Sequence, residues 1–221
     1  MSVVGRVWHA ASALVVLVAL VIQIPITAAN ETGVFDTPAA RVANLFTFFT
    51  ILTNILVGIT AAVLAAAPER RSTLLSVLRL DAVLGIAVTG VVFHTVLADL
   101  YELQGAEAFA DLLFHTASPI LAVLGWVLFG PRGMIDRRIV LLSMAYPLLW
   151  LVFTLVRGAV IDWYPYPFVD VTRLGYGQVA LNCVVVTALF LVLAAAALGL
   201  DRVLPDRRTS ARRDPVPGSA A

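Results

Sequence analysis

The chain has 221 residues, of which 61% are hydrophobic and 13% charged, with a formal net charge of +1. Soluble globular domains run nearer about half apolar and about a quarter charged. That excludes an ordinary soluble domain, and a near-neutral chain whose Arg residues sit in tight loops and one tail excludes nucleic acid as a partner.

The charges are clustered, leaving stretches of about 20 residues nearly free of them, long enough at ~1.5 Å per residue to cross a ~30 Å hydrocarbon core. The chain is therefore read as an all-α polytopic membrane protein, with one bundle of six transmembrane helices over residues 1–200. The predicted spans are roughly 7–28, 42–67, 78–99, 109–130, 139–160 and 178–200. The first resembles a signal peptide, with Arg6 ahead of it and Thr27-Ala28-Ala29 like a cleavage site. Its apolar run is too long for a signal peptide, so it is read as a retained span. His9, beside Trp8, is assigned to the cytoplasmic interface.

The second span is the anomaly. Asn44, Thr47, Thr50, Thr53 and Asn54 interrupt an otherwise oily stretch, and Asn44, Thr47, Thr50, Asn54 and Gly58 fall on one helical face. A polar face cannot look into lipid cheaply, so it must look into the bundle or a wet cavity. Asn44, Thr47 and Thr53 are assigned to packing between helices. The third span carries Arg79 and Asp81 at its cytoplasmic end and His94 near its outer end. The fourth carries Asp111, His115 and Pro119, whose ring opposes the carbonyl four residues back and should kink the helix at His115. The words Phe93-His94-Thr95 and Phe114-His115-Thr116 echo one another. After the fifth span, where Arg157 is expected to snorkel outward towards Asp162, the segment Asp162–Asp170 holds two prolines and four aromatics. It reads as a rigid loop at the outer surface or a lid over a pocket. The sixth span contains Asn182 and the single cysteine, Cys183, which rules out an internal disulfide. Residues 201–221 read as a disordered basic cytoplasmic tail.

Orientation follows from the basic residues, all fifteen of which are Arg. Twelve lie in the two termini and in the loops on their side, and only Arg41, Arg157 and Arg173 fall on the other side. The positive-inside rule places both termini in the cytoplasm of a cell membrane. The Arg-only usage with abundant Ala, Val and Leu points to a bacterial plasma (inner) membrane.

With that topology Thr50 lies roughly 12 Å and His115 roughly 9 Å below the outer face, and His94 and Asn182 fall at a similar depth. Trp163 and Tyr166 of the aromatic loop lie above them, completing the candidate pocket. Asp111, one turn outward of His115, can hold one imidazole nitrogen and aim the other inward. A hydroxyl at matching depth completes a nucleophile, base and orienter, with Thr50 as nucleophile and Asn54 as a possible oxyanion donor.

These patches resemble the androgen-induced-gene-like family of multi-span membrane hydrolases, which cleave fatty acid esters of hydroxy fatty acids with an intramembrane Thr and His. Phe48-Phe49-Thr50-Ile51 is similar to that family's aromatic segment around its Thr. His115-Thr116-Ala117-Ser118-Pro119 is similar to its His-Thr segment, and Trp163 with Tyr166-Pro167-Phe168 to its last outer loop. The resemblance implies Thr50 as nucleophile, His115 as base and a lipid ester as substrate. Thr47 stands where the family has a basic residue. The pattern Phe-Phe-Thr-x-x-Thr-Asn with Arg79-Leu80-Asp81 is more similar to a bacterial six-span relative.

Two further readings remain open from the residues alone. One is a non-catalytic bundle, either a small-molecule or lipid transporter or an accessory protein. The other is a haem protein ligated by His94 and His115. For the hydrolase no cofactor and no metal is expected, and the partners are membrane lipids.

Overall fold

The computed structural model describes residues 1–100 and 102–204. Among these residues helix is the only regular secondary structure, and six helices are long and apolar enough to cross a membrane: Val3–Ala29, Phe49–Ala66, Thr73–Leu100, Gly105–Phe129, Arg137–Ile161 and Val171–Val203. They form one bundle, so the protein is a multi-pass membrane protein. An even number of spans puts Val3 and Val203 on the same side.

Several helices begin well before the hydropathy pattern does, because capping side chains start them in polar surroundings. Ser2 accepts from the Gly5 amide at 3.1 Å, and Ser72 accepts from the Leu75 amide at 3.1 Å. Asp136 accepts from the Ile139 amide at 2.8 Å, and Asp170 from the Thr172 amide at 2.9 Å. The third span thus starts at Thr73 rather than near 78. In the sixth, a turn capped by Asp170 at 171–174 ends at a break at Gly175 (φ 74°, ψ 160°), and the continuous helix follows it, close to the expected 178. The sixth also runs past Leu200 to Val203, with Asp201 buried and accepting from the Met134 and Ile135 amides at 3.0 and 2.9 Å. Asp201, Arg202 and Val203 are therefore helix rather than tail, and residues 205–221 of the expected tail lie outside the described residues.

The second span departs most from expectation. Instead of one helix it comprises α2 (Pro38–Leu45) and α3 (Phe49–Ala66), with α1 (Val3–Ala29) before them. At the break the Thr47 amide and hydroxyl both donate to the Asn44 carbonyl, at 2.9 and 2.7 Å, and the Phe48 amide donates to that of Leu45 at 3.2 Å. The Trp150 indole, from the fifth span, donates to the Thr47 carbonyl at 2.9 Å. No glycine or proline marks the spot. Side chains claim the acceptors that would have continued the ladder, which is the only way such a break is tolerated in lipid.

The third span is α4 (Thr73–Val92) followed by a π-helical turn at Phe93–Leu97, and the fourth is α5 (Gly105–Leu112), a π-helical turn at Leu113–Ala117 and α6 (Ser118–Phe129). Both Phe-His-Thr words therefore sit in π-turns, which are rare and widen a helix locally. The fifth span divides at Met144 into α7 (Arg137–Ser143) and α8 (Ala145–Ile161), since Pro147 has no N–H for the Ser143 carbonyl. The sixth is α9 (Val171–Val203). Half of the most apolar stretch of α3 and of the third span is buried, against 17% for the first, fifth and sixth, so the second and third spans form the centre.

At the terminal end Arg79 is buried and donates to the carbonyls of Pro131, at 2.8 Å, and Gly130. His9 is buried inside the bundle rather than interfacial. Its Nε2 has no partner and it lines a small cavity with Ser12, Thr60, Arg79 and Trp126. Asp81, eight residues into α4, is also buried, with Oδ1 unpartnered.

The aromatic loop folds back onto the bundle. Tyr164, Tyr166 and Val169 are buried, and Tyr164 lies flat against Gly158 of α8. A Cβ at Gly158 would stand 2.1 Å from Tyr164 Cε1, so only glycine admits the ring. Gly158→Ala is expected to lift the loop and cost about 1–3 kcal/mol, read as a lower thermal midpoint in detergent. In Tyr164→Ala protein the same change should cost much less, because the clash has gone.

Candidate functional site

The break in the second span places Thr50 in the first turn of α3, where amide hydrogens have no acceptor within the helix. The Thr50 amide donates to the Tyr166 hydroxyl at 3.1 Å, and the Thr50 and Tyr166 hydroxyls lie 3.2 Å apart. Thr50 and Tyr166 are both buried. Tyr166 is held in turn by Phe48, Trp150 and Phe168 around its ring. The outer loop thus reaches down to the start of a transmembrane helix and touches the residue singled out as nucleophile.

His115 sits in the π-turn of the fourth span. Its Nδ1 lies 2.8 Å from Asp111 Oδ1, so Nδ1–H donates to the carboxylate and the Nε2 lone pair is left for other work. The imidazole stacks on Phe93 with centroids 3.9 Å apart and an interplanar angle of 11°, which fixes the ring plane. Gly90 clears the space behind the turn: a Cβ there would come within 3.2 Å of Pro119 and 3.6 Å of the His115 carbonyl oxygen.

The π-turn changes the consequence expected of Pro119. Within it the Ser118 amide pairs with the Leu113 carbonyl, five residues back. The next carbonyl in that register, Phe114, would need an amide at Pro119, which has none. Asn54 supplies the missing donor, its Nδ2 lying 3.3 Å from the Phe114 oxygen and 2.9 Å from the Thr50 oxygen. The carbonyl that is freed and paired across the bundle is that of Phe114. Asn54 is fully buried with its amide hydrogens on two backbone carbonyls, so it is a brace between spans and not an oxyanion donor. The Thr50 amide is already given to Tyr166, so the group suited to oppose developing negative charge is the first-turn amide of Ile51, at the positive end of the α3 dipole.

Two cavities meet at these residues. The outer one, of about 400 Å³, has a mixed lining: apolar side chains such as Leu45, Phe48 and Phe114, polar groups including Gln23, Asn30, Arg41, Glu107 and Asp111, and Trp163 of the loop. The inner one, of about 230 Å³, is lined by Val88, Val92, Leu151, Val186, Phe190 and other apolar side chains. Thr50, Phe93, Leu97, His115 and Tyr166 belong to both walls and form the partition between them. Thr50 and His115 therefore face shared space, although the Thr50 hydroxyl is paired with Tyr166 rather than with the imidazole.

Other residues expected in the pocket lie elsewhere. His94 is exposed, bonded to Thr116 at 3.1 Å, and lines neither cavity, so it does not share a space with His115. Asn182 donates to the Phe168 carbonyl at 2.8 Å and fastens the end of the aromatic loop from outside both cavities. Arg157 donates to Asn44 Oδ1 at 2.8 Å and lies over the Trp163 and Phe35 rings rather than turning to Asp162. Thr53 packs as anticipated of an interhelical hydroxyl, 2.8 Å from Tyr146 of α8. Among the described residues no group of three or more His, Cys, Asp or Glu side chains is placed to hold a metal ion.

No family model, curated protein or solved structure matches the chain. What the site does is read from its own geometry.

Asn54→Leu strands the Phe114 carbonyl and is expected to cost about 1–3 kcal/mol, measured as thermal or denaturant stability in micelles. Pro119→Ala supplies the missing amide, so the double variant should lose clearly less than the sum of the single changes.

Proposed function

We propose that the protein is an intramembrane hydrolase of lipid carboxylic esters, with Thr50 as nucleophile and His115 as general base, working from the outer side of a bacterial plasma membrane. The observation that carries the proposal is the common wall: Thr50 and an imidazole oriented by Asp111 both stand where a cavity of mixed polar and apolar lining meets an almost wholly apolar one. An amphiphilic ester has its scissile bond at just such a boundary. Kinship with the androgen-induced-gene-like hydrolases, through a bacterial six-span relative, is part of the same proposal and rests on the three motif patches.

The chemistry follows from the positions. His115 Nε2 takes the proton of Thr50 Oγ as the oxygen attacks the ester carbonyl carbon. For this the Thr50 hydroxyl must turn from Tyr166 towards the imidazole. The oxyanion of the tetrahedral intermediate is opposed by the α3 amino end, and the Tyr166 hydroxyl is close enough to donate to it. Collapse expels the alkoxide, which receives the proton from His115 and leaves as the alcohol. Water from the outer cavity then attacks the acyl-threonine, giving its proton to His115. Thr50 Oγ leaves as the carboxylic acid forms and recovers that proton. Asp111 keeps Nδ1 protonated and stabilises the imidazolium formed in each half.

A non-catalytic lipid carrier would use the same two cavities, and the pairing of Thr50 with Tyr166 suits it. Purified wild-type protein is expected to hydrolyse monoacylglycerol or hydroxy-fatty-acid esters, and His115→Ala to lose about 10²–10⁴-fold of that rate. Thr50→Ala should lose it to background. Full activity in both variants, with folding intact, would leave the carrier. Tyr166→Phe keeps the ring and removes the hydroxyl, so a fall in kcat with little change in KM assigns it to the reaction rather than to packing.

The orientation belongs to the same proposal: twelve of the fifteen Arg residues on the terminal side place both termini in the cytoplasm. A green fluorescent protein fused after Ala221 should fluoresce, whereas alkaline phosphatase at the same point should stay inactive.

A further inference from the structure

The inner cavity is not closed to the bilayer. Its far wall is made by Met144 at the break before α8, by α8, with Pro147, Leu148 and Leu151, and by α9, with Thr187 and Leu191 among its residues. Leu148 is 54% and Leu191 51% exposed on the lipid-facing surface of the bundle, yet both line the cavity. The space between α8 and α9 is therefore a side opening from the membrane that ends at Thr50 and His115. The outer cavity opens the other way, through the polar segment Asn30–Phe35 and under Trp163. One site thus has an apolar access from lipid and a polar access from water, on opposite sides of one partition.

We propose that the inner cavity is an acyl-chain chamber loaded sideways from the bilayer between α8 and α9. On the hydrolase proposal, on which this rests, the chain lies in the chamber with its carbonyl carbon at the Thr50–His115 wall. The alcohol portion and the hydrolytic water occupy the outer cavity. The substrate class is a single-chain acyl ester of a polar alcohol. The occupant is a hydrocarbon chain and not a second protein, for two reasons. The chamber holds about 230 Å³, room for one slender chain and not for a side-chain-bearing helix. Its lining is almost wholly apolar, with Thr50, Thr89, His115, Thr187 and the Tyr166 hydroxyl as the polar exceptions. Burying such a chain gains about 0.8 kcal/mol per methylene relative to water. From lipid that gain vanishes, so what draws the chain in is the polar end of the same molecule finding water in the outer cavity.

The size of the chamber makes chain length the specificity variable. Thr187 is exposed at the rim, so Thr187→Trp narrows the opening at a position where the fold tolerates bulk. Leu141, 73% exposed on α7 and outside both cavities, is the matching site on plain lipid-facing surface. Cys183, the chain's single cysteine, lines the chamber and reports its occupancy.

The test uses full-length protein in liposomes and lauric acid carrying a terminal diazirine. On irradiation, label is expected on peptides of α8 and α9 around Met144, Leu148 and Leu191, displaced by unlabelled laurate or monolaurin. Bound laurate should also slow N-ethylmaleimide modification of Cys183. Thr187→Trp is expected to cut the displaceable label about tenfold through lost space, and Leu141→Trp to leave it as in wild type. Stronger displacement by monolaurin than by laurate identifies the ester, and the reverse identifies the free acid, as the preferred source of the chain. Label spread over lipid-facing positions without displacement, or unaltered by Thr187→Trp, overturns the chamber. Thr50→Ala separates the two proposals. Chamber labelling with no ester cleavage by wild type removes the hydrolase and keeps the chamber. Cleavage abolished by Thr50→Ala without displaceable chamber label removes the chamber and keeps the hydrolase.

Discussion

Inside a membrane a backbone amide or carbonyl freed from its helix finds no water, and leaving it unpaired costs several kcal/mol. This protein frees such groups at two places, the break at 46–48 just ahead of the helix Phe49–Ala66 and the π-turn before Pro119 in the fourth span. At each, a side chain from another span pairs the exposed carbonyl: Trp150 on Thr47, Asn54 on Phe114. These bonds tie the second, fourth and fifth spans together around one point. A break in any of them would loosen the other two.

The same irregularities create the site. Ending α2 at Leu45 and restarting at Phe49 presents a helix amino end to a cavity and sets Thr50 within its first turn. The π-turn widens the fourth helix enough to swing His115 onto Phe93 and towards the space that Thr50 also faces. The aromatic loop seals the arrangement by inserting Tyr166 from above, which is possible because Gly158 lets Tyr164 lie flat on α8. Substrate access then divides by polarity, with loops and charged groups on one side of the partition and two loosely apposed, lipid-exposed helices on the other.

Some of this was legible in the residues. Six spans, the polar anomaly of the second, the Asp111–His115 spacing and the shared level of Thr50 and His115 all follow from helical geometry, since one turn and one rise convert sequence spacing into face and depth. Face and depth were not enough for His94 and Asn182. One turns to Thr116 at the bundle surface and the other to the Phe168 carbonyl. Which way a side chain points around the bundle depends on helix rotation, and rotation is set by packing. Asn54 was misread for the same reason. An Asn on a polar stripe looks like a free donor until the neighbouring helix is seen to need it.

The sequence by itself determined the membrane class, the number of spans and the residues able to carry acid–base chemistry, because hydropathy, length and functional groups are local properties. Only the tertiary structure decided that the second span is broken, that the Phe-His-Thr words are π-turns, and that Thr50 and His115 share a wall between a cavity of mixed lining and a greasy one. Those depend on hydrogen bonds between residues a hundred positions apart, such as Trp150 to Thr47 and Tyr166 to Thr50, for which no local pattern exists.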